Sequence, residues 1–227
     1  MKRKIKYIEL MNFVKKVLAR ANLDKFSINS VATGLCETSL RGVESHGVRL
    51  LPHYVRSAIL GRKNPRPNFK FKKTFPALGV LDADNGFGHA AGIKAIDHCI
   101  KLAKSYGIGV VAVKNSSHPG AMATMALKAA RKGFISFAFT HADSLLLSHN
   151  GVRPYFGTNP ICIAVPRTEK EPYCLDMATS MISWNKLLGF REKGKILSNN
   201  LAANKKGVHT KNPNLAQSLV GAGNYKG

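Results

Sequence analysis

The stretch from Ala77 to Lys132 constrains the fold of this chain most, because its hydrophobic period switches back and forth between two and about four. Ala77–Asp82 has strand character. Gly88–Tyr106 places Ala91, Ala95, Ile96, Ile100 and Ala103 on one helical face. Ile108–Val113 is an apolar, β-branched run, which predicts a strand buried on both faces. Pro119–Lys132 reads as a second helix with proline in its first turn. Phe134–Thr140, Ile161–Val165 and Tyr173–Leu175 read as further strands, and Ile182–Phe190 as a helix. Strands alternating with helices predict a layered α/β unit. The tail from Lys193 is rich in Asn, Lys and Gly, is weakly periodic and predicts no element.

Upstream the grammar is purely helical. Tyr7, Leu10, Met11, Val14, Val17 and Leu18 make one apolar face. Ser27 is the expected N-cap of a second helix that buries Ile28, Val31, Ala32, Leu35 and Cys36. A third helix runs through Pro52 to about Leu60, where Gly61 stops it. Gly61–Pro67 has the Pro and charge content of a linker. The expected division is a helical unit over 1–66 and a sheet domain over 67–227.

Charge raises a competing idea. With 35 Lys+Arg against 12 Asp+Glu, the chain carries +23, which favours polyanion contact. The basic clusters are short, however: Lys2-Arg3-Lys4, Arg62-Lys63, Lys72-Lys73, Arg131-Lys132 and Lys205-Lys206. None reaches five or six residues, and no nucleic-acid-binding motif accompanies them, so no specific nucleic-acid partner is expected. No apolar run approaches 18 residues, and Lys15 and Lys16 interrupt the only place for a signal peptide. No membrane partner is expected. Four cysteines without a CxxC pair predict buried free thiols in a reducing, cytoplasmic setting. The eight histidines show no HExxH and no Cys/His ligand spacing, so no metal is expected.

Four segments carry candidate chemistry. Gly86-Phe-Gly88-His-Ala-Ala91 fits the dinucleotide-binding G-x-G-x-x-G/A pattern. The carboxylate that should end the following strand is missing, since that strand ends Val113-Lys114-Asn115. A closely packed glycine turn is therefore favoured over a phosphate cradle. Asn115-Ser-Ser-His118-Pro-Gly sets a histidine after a strand, where ligands bind in open α/β sheets, and an imidazole moves protons near neutral pH. A packing or capping histidine is the equal alternative. Glu44-Ser45-His46-Gly47-Val48-Arg49 crowds Ser, His and Arg together, which suits a carboxylate; a helix-to-helix turn capped by Ser45 competes. Phe156-Gly157-Thr158-Asn159-Pro160 and Leu175-Asp176-Met177-Ala178-Thr179-Ser180 offer turn chemistry, backbone N–H groups and hydroxyls to phosphates.

Taken in order, Ser-His-Gly with a nearby Arg and Tyr54, Asn-Ser-Ser-His-Pro-Gly, Gly-Thr-Asn-Pro, Leu-Asp-Met-Ala-Thr-Ser and the terminal Gly-Asn-Tyr-Lys-Gly resemble the malate/L-lactate dehydrogenase family. That family also includes ureidoglycolate, sulfolactate and diketogulonate dehydrogenases. The resemblance covers residues 7–227. It implies a mixed α/β, three-layer, non-Rossmann fold with a small helical N-terminal unit, and hydride transfer between NAD or NADP and a small 2-hydroxy/2-oxo acid. It implies that His118 is the catalytic acid/base, with Asp143 beside it. Ser45, His46, Arg49 and Tyr54 fall on the substrate side. Asp176, Met177, Ala178, Thr179 and Ser180 match one cofactor-binding run, and Tyr225, Lys226 and Gly227 another. Family members are homodimers, so a homodimer is implied. The chain departs from the pattern in three places. Leu50 stands where the family arginine usually lies, with Arg49 one residue earlier; Ala142 precedes Asp143; and Trp184-Asn185-Lys186 replaces a Trp/Tyr-Gly-Lys. Family chains continue well past the Tyr-Lys-Gly motif, so the resemblance implies a chain incomplete at its C-terminus, with an inactive remnant as the alternative to a working enzyme.

Overall fold

The structure is a computed structural model that describes residues 4–223. It separates into two compact units. One runs to Ser136 and takes back Ala164–Cys174; the other comprises Phe137–Ile163 and the chain from Leu175.

The first unit begins with three helices, Tyr7–Arg20 (α1), Lys25–Leu40 (α2) and Leu51–Ile59 (α3). They share one core of Met11, Val14, Leu18, Val31, Leu35, Leu51 and Tyr54, joined by Leu50 and Phe87. The N-cap of α2 is Asp24 rather than Ser27. Its carboxylate accepts from Phe26 N (2.8 Å) and Ser27 N (3.0 Å), and the Ser27 hydroxyl donates to it (2.6 Å). Both residues are good caps, but the two-oxygen carboxylate takes three donors at once.

Next come strands Lys70–Phe75 (β1) and Leu78–Asp82 (β2), helix Gly88–Tyr106 (α4), strand Val110–Lys114 (β3) and helix Ala123–Ala130 (α5). The sheet order is β1-β2-β3, with β1 antiparallel and β3 parallel to β2, so α4 is a crossover helix. The segment 61–67, expected as a linker, is tied on both sides. Pro65 O accepts from Asp24 N, Arg66 donates to Asn22, and Asp84 accepts from Asn64 Nδ2 and Asn68 N. Two expectations change here. β3 is an edge strand, and Val110 and Val113 are 48% and 39% exposed rather than buried on both faces. The helix expected from Pro119 starts only at Ala123, because Gly120 adopts φ +71°, which no right-handed helix tolerates.

Strands Ser136–Phe139 (β4), Ser144–Leu147 (β5), Pro154–Gly157 (β6), Ile161–Val165 (β7) and Tyr173–Met177 (β8) follow, then helix Trp184–Glu192 (α6) and the short strands Ala202–Ala203 (β9) and Ser218–Leu219 (β10). One sheet has the order β4-β7-β8, and the chain changes unit within each of its strands. The other, β6-β5-β10-β9, lies wholly in the second unit, where Leu146, Ile182, Leu187, Leu197 and Leu219 form the core. The mixed α/β class and the N-terminal helices are as expected, with the strands spread over three small sheets. No helix among the described residues is long and apolar enough to cross a membrane.

The cap assignment has a measurable consequence. Asp24→Ala is expected to cost about 1 kcal/mol in urea denaturation, and Ser27→Ala less; the reverse ranking would return the cap to Ser27.

Candidate active site

The Ser45–His46 segment, Tyr54 and His118 reach one place by three routes within the first unit. Ser45 and His46 lie on a 3-10 turn, Glu44–His46, that follows α2. Tyr54 projects from α3. His118 sits in the loop between β3 and α5. That loop is fixed at its start by Asn115, which takes φ +51° and donates through Nδ2 to both Asp82 oxygens (3.0 and 3.1 Å). The Asp84 N–H first, then these bonds and the Lys114 ammonium, hold the Asp82 carboxyl down to about 2.

The loop is also pinned at Ser117. Gly88 N donates to the Ser117 hydroxyl (3.0 Å), which donates in turn to Gly86 O (3.2 Å). A Cβ on Gly88 would overlap the Ser117 carbonyl. The histidine loop thus packs against the Gly86-Phe-Gly88 turn and takes the Gly88 N–H at the start of α4. The glycines serve close backbone approach, as the missing ribose carboxylate indicated.

At the centre, the Tyr54 hydroxyl lies 2.7 Å from His118 Nδ1, and the two rings are nearly parallel at 6.3 Å. The His46 ring stacks on His118 at 5.5 Å, with its Nδ1 3.0 Å from the Ser45 hydroxyl. Tyr54 is only 2% exposed, and burial raises its phenol pKa, so it is neutral at any physiological pH. With Tyr54 as donor, Nδ1 accepts and the His118 proton sits on Nε2. His118 is pushed down to about 4, by desolvation first and then by His46 and His53. His118 is nevertheless an exposed residue, so solvent screens much of that shift and the downward direction is what holds. The site therefore holds a neutral imidazole that can take up a proton.

One further residue, His89 in the first turn of α4, packs under the site. Its ring meets Tyr54 edge-on at 5.0 Å and is 2% exposed. Sequence reasoning missed it, because a histidine at the second position of a glycine-opened helix has no distinguishing spacing.

The other expected residues divide as follows. Arg49 is half-buried on a second 3-10 turn, Val48–Leu50, while Leu50 points into the helical core. The departure at position 50 is thus explained: an apolar side chain fills the core there. Asp143 belongs to the second unit, exposed just before β5. In that unit the Asn159 side chain accepts from Ala142 N (3.1 Å), and Thr158 O accepts from both Thr179 N (2.8 Å) and the Thr179 hydroxyl (3.0 Å). The Gly-Thr-Asn-Pro turn thereby joins the Asp143 loop to the Asp176–Ser180 run. Within that run Asp176, Met177, Ala178 and Thr179 are half-buried and Ser180 is buried. Tyr225, Lys226 and Gly227 lie outside the described residues. No group of three or more potential metal ligands occurs among the described residues.

Residues 5–227 match the family model for malate/L-lactate dehydrogenase. The chain belongs to the malate/L-lactate dehydrogenase family. Within that family, the malate dehydrogenase of Pyrococcus abyssi is 40% identical over 203 residues, which is 89% of this chain and 56% of that protein. The ureidoglycolate dehydrogenase (NAD(+)) of Escherichia coli K12 is 32% identical over 224 residues, 99% of this chain and 64% of that one. The crystal structure of malate dehydrogenase from Entamoeba histolytica superposes with a TM-score of 0.90 at 31% identity, covering 94% of this chain and 60% of that one. The chain thus spans a little over half to nearly two thirds of the length of these family members.

The histidines of the site, buried His89 above all, make stability depend on pH. His89 is held down to about 3, by desolvation and then by His118 and His46. In the unfolded chain both histidines titrate near 6.5. Between those values the unfolded state binds more protons, so stability falls as pH drops from about 6.5 toward 4. Asp82 and Glu171, whose pKa values are lowered, lose their contributions only at lower pH. Denaturant midpoints at pH 7, 6 and 5 should decline steadily, and His89→Gln should remove about one proton from that dependence.

Proposed function

We propose that the chain transfers hydride between a nicotinamide dinucleotide, NAD or NADP, and a small 2-hydroxy/2-oxo acid of malate- or lactate-like shape. The observation that carries the reading is the Tyr54–His118 pair: a neutral imidazole with one nitrogen engaged by a buried phenol and part of its ring open to solvent. Such a base takes the hydroxyl proton of a 2-hydroxy acid as the carbon becomes a carbonyl, and returns it in the reverse direction. When bound, the dinucleotide supplies the acceptor or donor of the hydride.

On the substrate side, the Ser45 hydroxyl engages His46 Nδ1 and so orients that ring. Arg49 would meet the substrate carboxylate with its two-pronged guanidinium. The role of Asp143, steadying the imidazolium, comes from the family pattern, as does the assignment of Asp176–Ser180, Tyr225, Lys226 and Gly227 to the dinucleotide. The Asp176–Ser180 run fits that assignment. It is fixed at its far end through Thr158, Gly221 and Ala222, and it keeps three half-buried residues, Asp176, Met177 and Ala178, before that anchor. A homodimer is the assembly we propose, and the exposed apolar edge at Val110 and Val113 is a surface it could cover.

The test follows nicotinamide absorbance with NADH and NADPH over a panel of 2-oxo acids, on material eluting at twice the chain mass. Turnover with at least one acid is expected, falling about 10²- to 10⁴-fold in His118→Ala. Equal rates in the two proteins would remove His118 from the reaction. Absence of both turnover and dinucleotide binding would contradict the reading as a whole.

A further inference from the structure

We propose that His89 is the positioning residue for His118: a flat, neutral ring wedged between two glycines, whose fit sets both Tyr54 and the backbone beside the reacting imidazole. The inference rests on His118 as the acid/base, and it begins from an anomaly. His89 is 2% exposed, and neither ring nitrogen has a hydrogen-bond partner among the described residues. A buried polar group left in that state costs about 1–3 kcal/mol. An apolar core residue would cost nothing of the kind, so stability does not account for an imidazole here.

Its packing does. Three segments close on the ring. Gly34 lies in the middle of α2, and a Cβ there would overlap His89 Cδ2. Gly120 lies two residues after His118 at φ +71°, and a Cβ there would overlap His89 Nε2. Tyr54, from α3, stands edge-on at 5.0 Å with an interplanar angle of 80°. A glycine inside a helix costs about 0.5–1 kcal/mol relative to alanine, so the helix gives up stability at Gly34 where the ring needs room. The slot is thin, bounded on two sides by bare Cα atoms. A planar five-membered ring fits it, whereas a branched aliphatic side chain is too thick and a phenyl ring too long.

The consequence reaches His118 by two paths. His89 supports the Tyr54 ring, whose hydroxyl meets His118 Nδ1 at 2.7 Å. It also abuts Gly120, which anchors the end of the loop that carries His118. The titratable groups facing this cluster are Tyr54 from α3, His46 from the 3-10 turn, His53 from α3, and His118 itself. None brings a negative charge, so all favour neutral imidazoles.

The experiment is an NMR titration of the His118 imidazole in the full chain, run beside the hydride-transfer assay. Variants are His89→Ala, His89→Leu, His89→Gln and Gly34→Ala. His89→Ala, which empties the slot, should admit water, and His89→Leu, too thick for it, should push Tyr54 and the loop aside; each should raise the His118 midpoint by about one pH unit. Each should also lower kcat by about tenfold or more, as expected for a displaced proton-transfer group, with dinucleotide affinity unchanged. Gly34→Ala, which pushes on His89 from α2, should produce the same shift. His89→Gln, whose planar amide enters the slot, should keep the His118 midpoint near that of the parent. A folded His89→Ala protein with an unmoved His118 midpoint would overturn the proposal. So would a series in which every variant loses thermal stability while His118 titrates unchanged, since that describes an ordinary core residue. If the midpoints shift as expected but His118→Ala leaves the rate intact, the positioning stands and the acid/base reading fails.

Discussion

The Tyr54–His118 hydrogen bond is the contact on which the rest of the site depends. Tyr54 reaches it from a helix whose inner face, Tyr54 included, is sunk in the N-terminal core, so the phenol cannot follow the loop if the loop moves. His118 reaches it from a loop held by Asn115 at one end and Ser117 in the middle. Desolvation then makes the imidazole neutral and the phenol un-ionised. Among the described residues of the first unit, no carboxylate hydrogen-bonds this proton acceptor.

The scarcity of acids has a structural counterpart. With twelve carboxylates against thirty-five basic side chains, individual carboxylates hold several groups each. Asp24 caps α2, Asp82 fixes Lys114 and Asn115, and Asp97 meets Lys128 at 2.7 Å. Glu171 bridges Arg41 (2.6 Å) and Arg131 (2.7 Å), so one side chain ties the end of α2 to the end of α5. These pairs are exposed and individually weak. Their value lies in register, and the excess of positive charge remains as scattered surface lysine.

Much of the fold is legible in hydrophobic period. α1, α3, α4, β2 and β7 follow from the spacing of their apolar residues almost to the residue, while α2 starts three residues earlier than expected because Asp24 caps it. The failures have separate physical causes. β1, Lys-Phe-Lys-Lys-Thr-Phe, is an edge strand with little to bury, so no apolar alternation announces it. β9 and β10 are two residues each and exist because they pair with one another and, for β10, with β5 far earlier in the chain. Ile108–Val113 correctly announces a strand, but β-branching reports backbone preference and says nothing about what covers each face. Pro119 looks like a helix start until Gly120 takes a left-handed conformation. In the site, the sequence singles out Ser45, His46, Tyr54 and His118, which the fold brings close together, and family resemblance supplies the roles proposed for them. His89 was illegible because its significance lies in two glycines, 55 residues behind it and 31 ahead, that only the folded chain brings to its ring.

The buried Tyr54 phenol, by donating to Nδ1, fixes the tautomer of His118 and adds to the desolvation that keeps the ring neutral. The direct measurement is the ¹⁵N spectrum of the His118 ring as a function of pH, in the parent chain and in Tyr54→Phe. The parent should carry its proton on Nε2 and remain neutral well below the ordinary histidine range. Tyr54→Phe should mix the tautomers and raise the midpoint. An ordinary midpoint in the parent, unchanged when the hydroxyl is removed, would contradict the account.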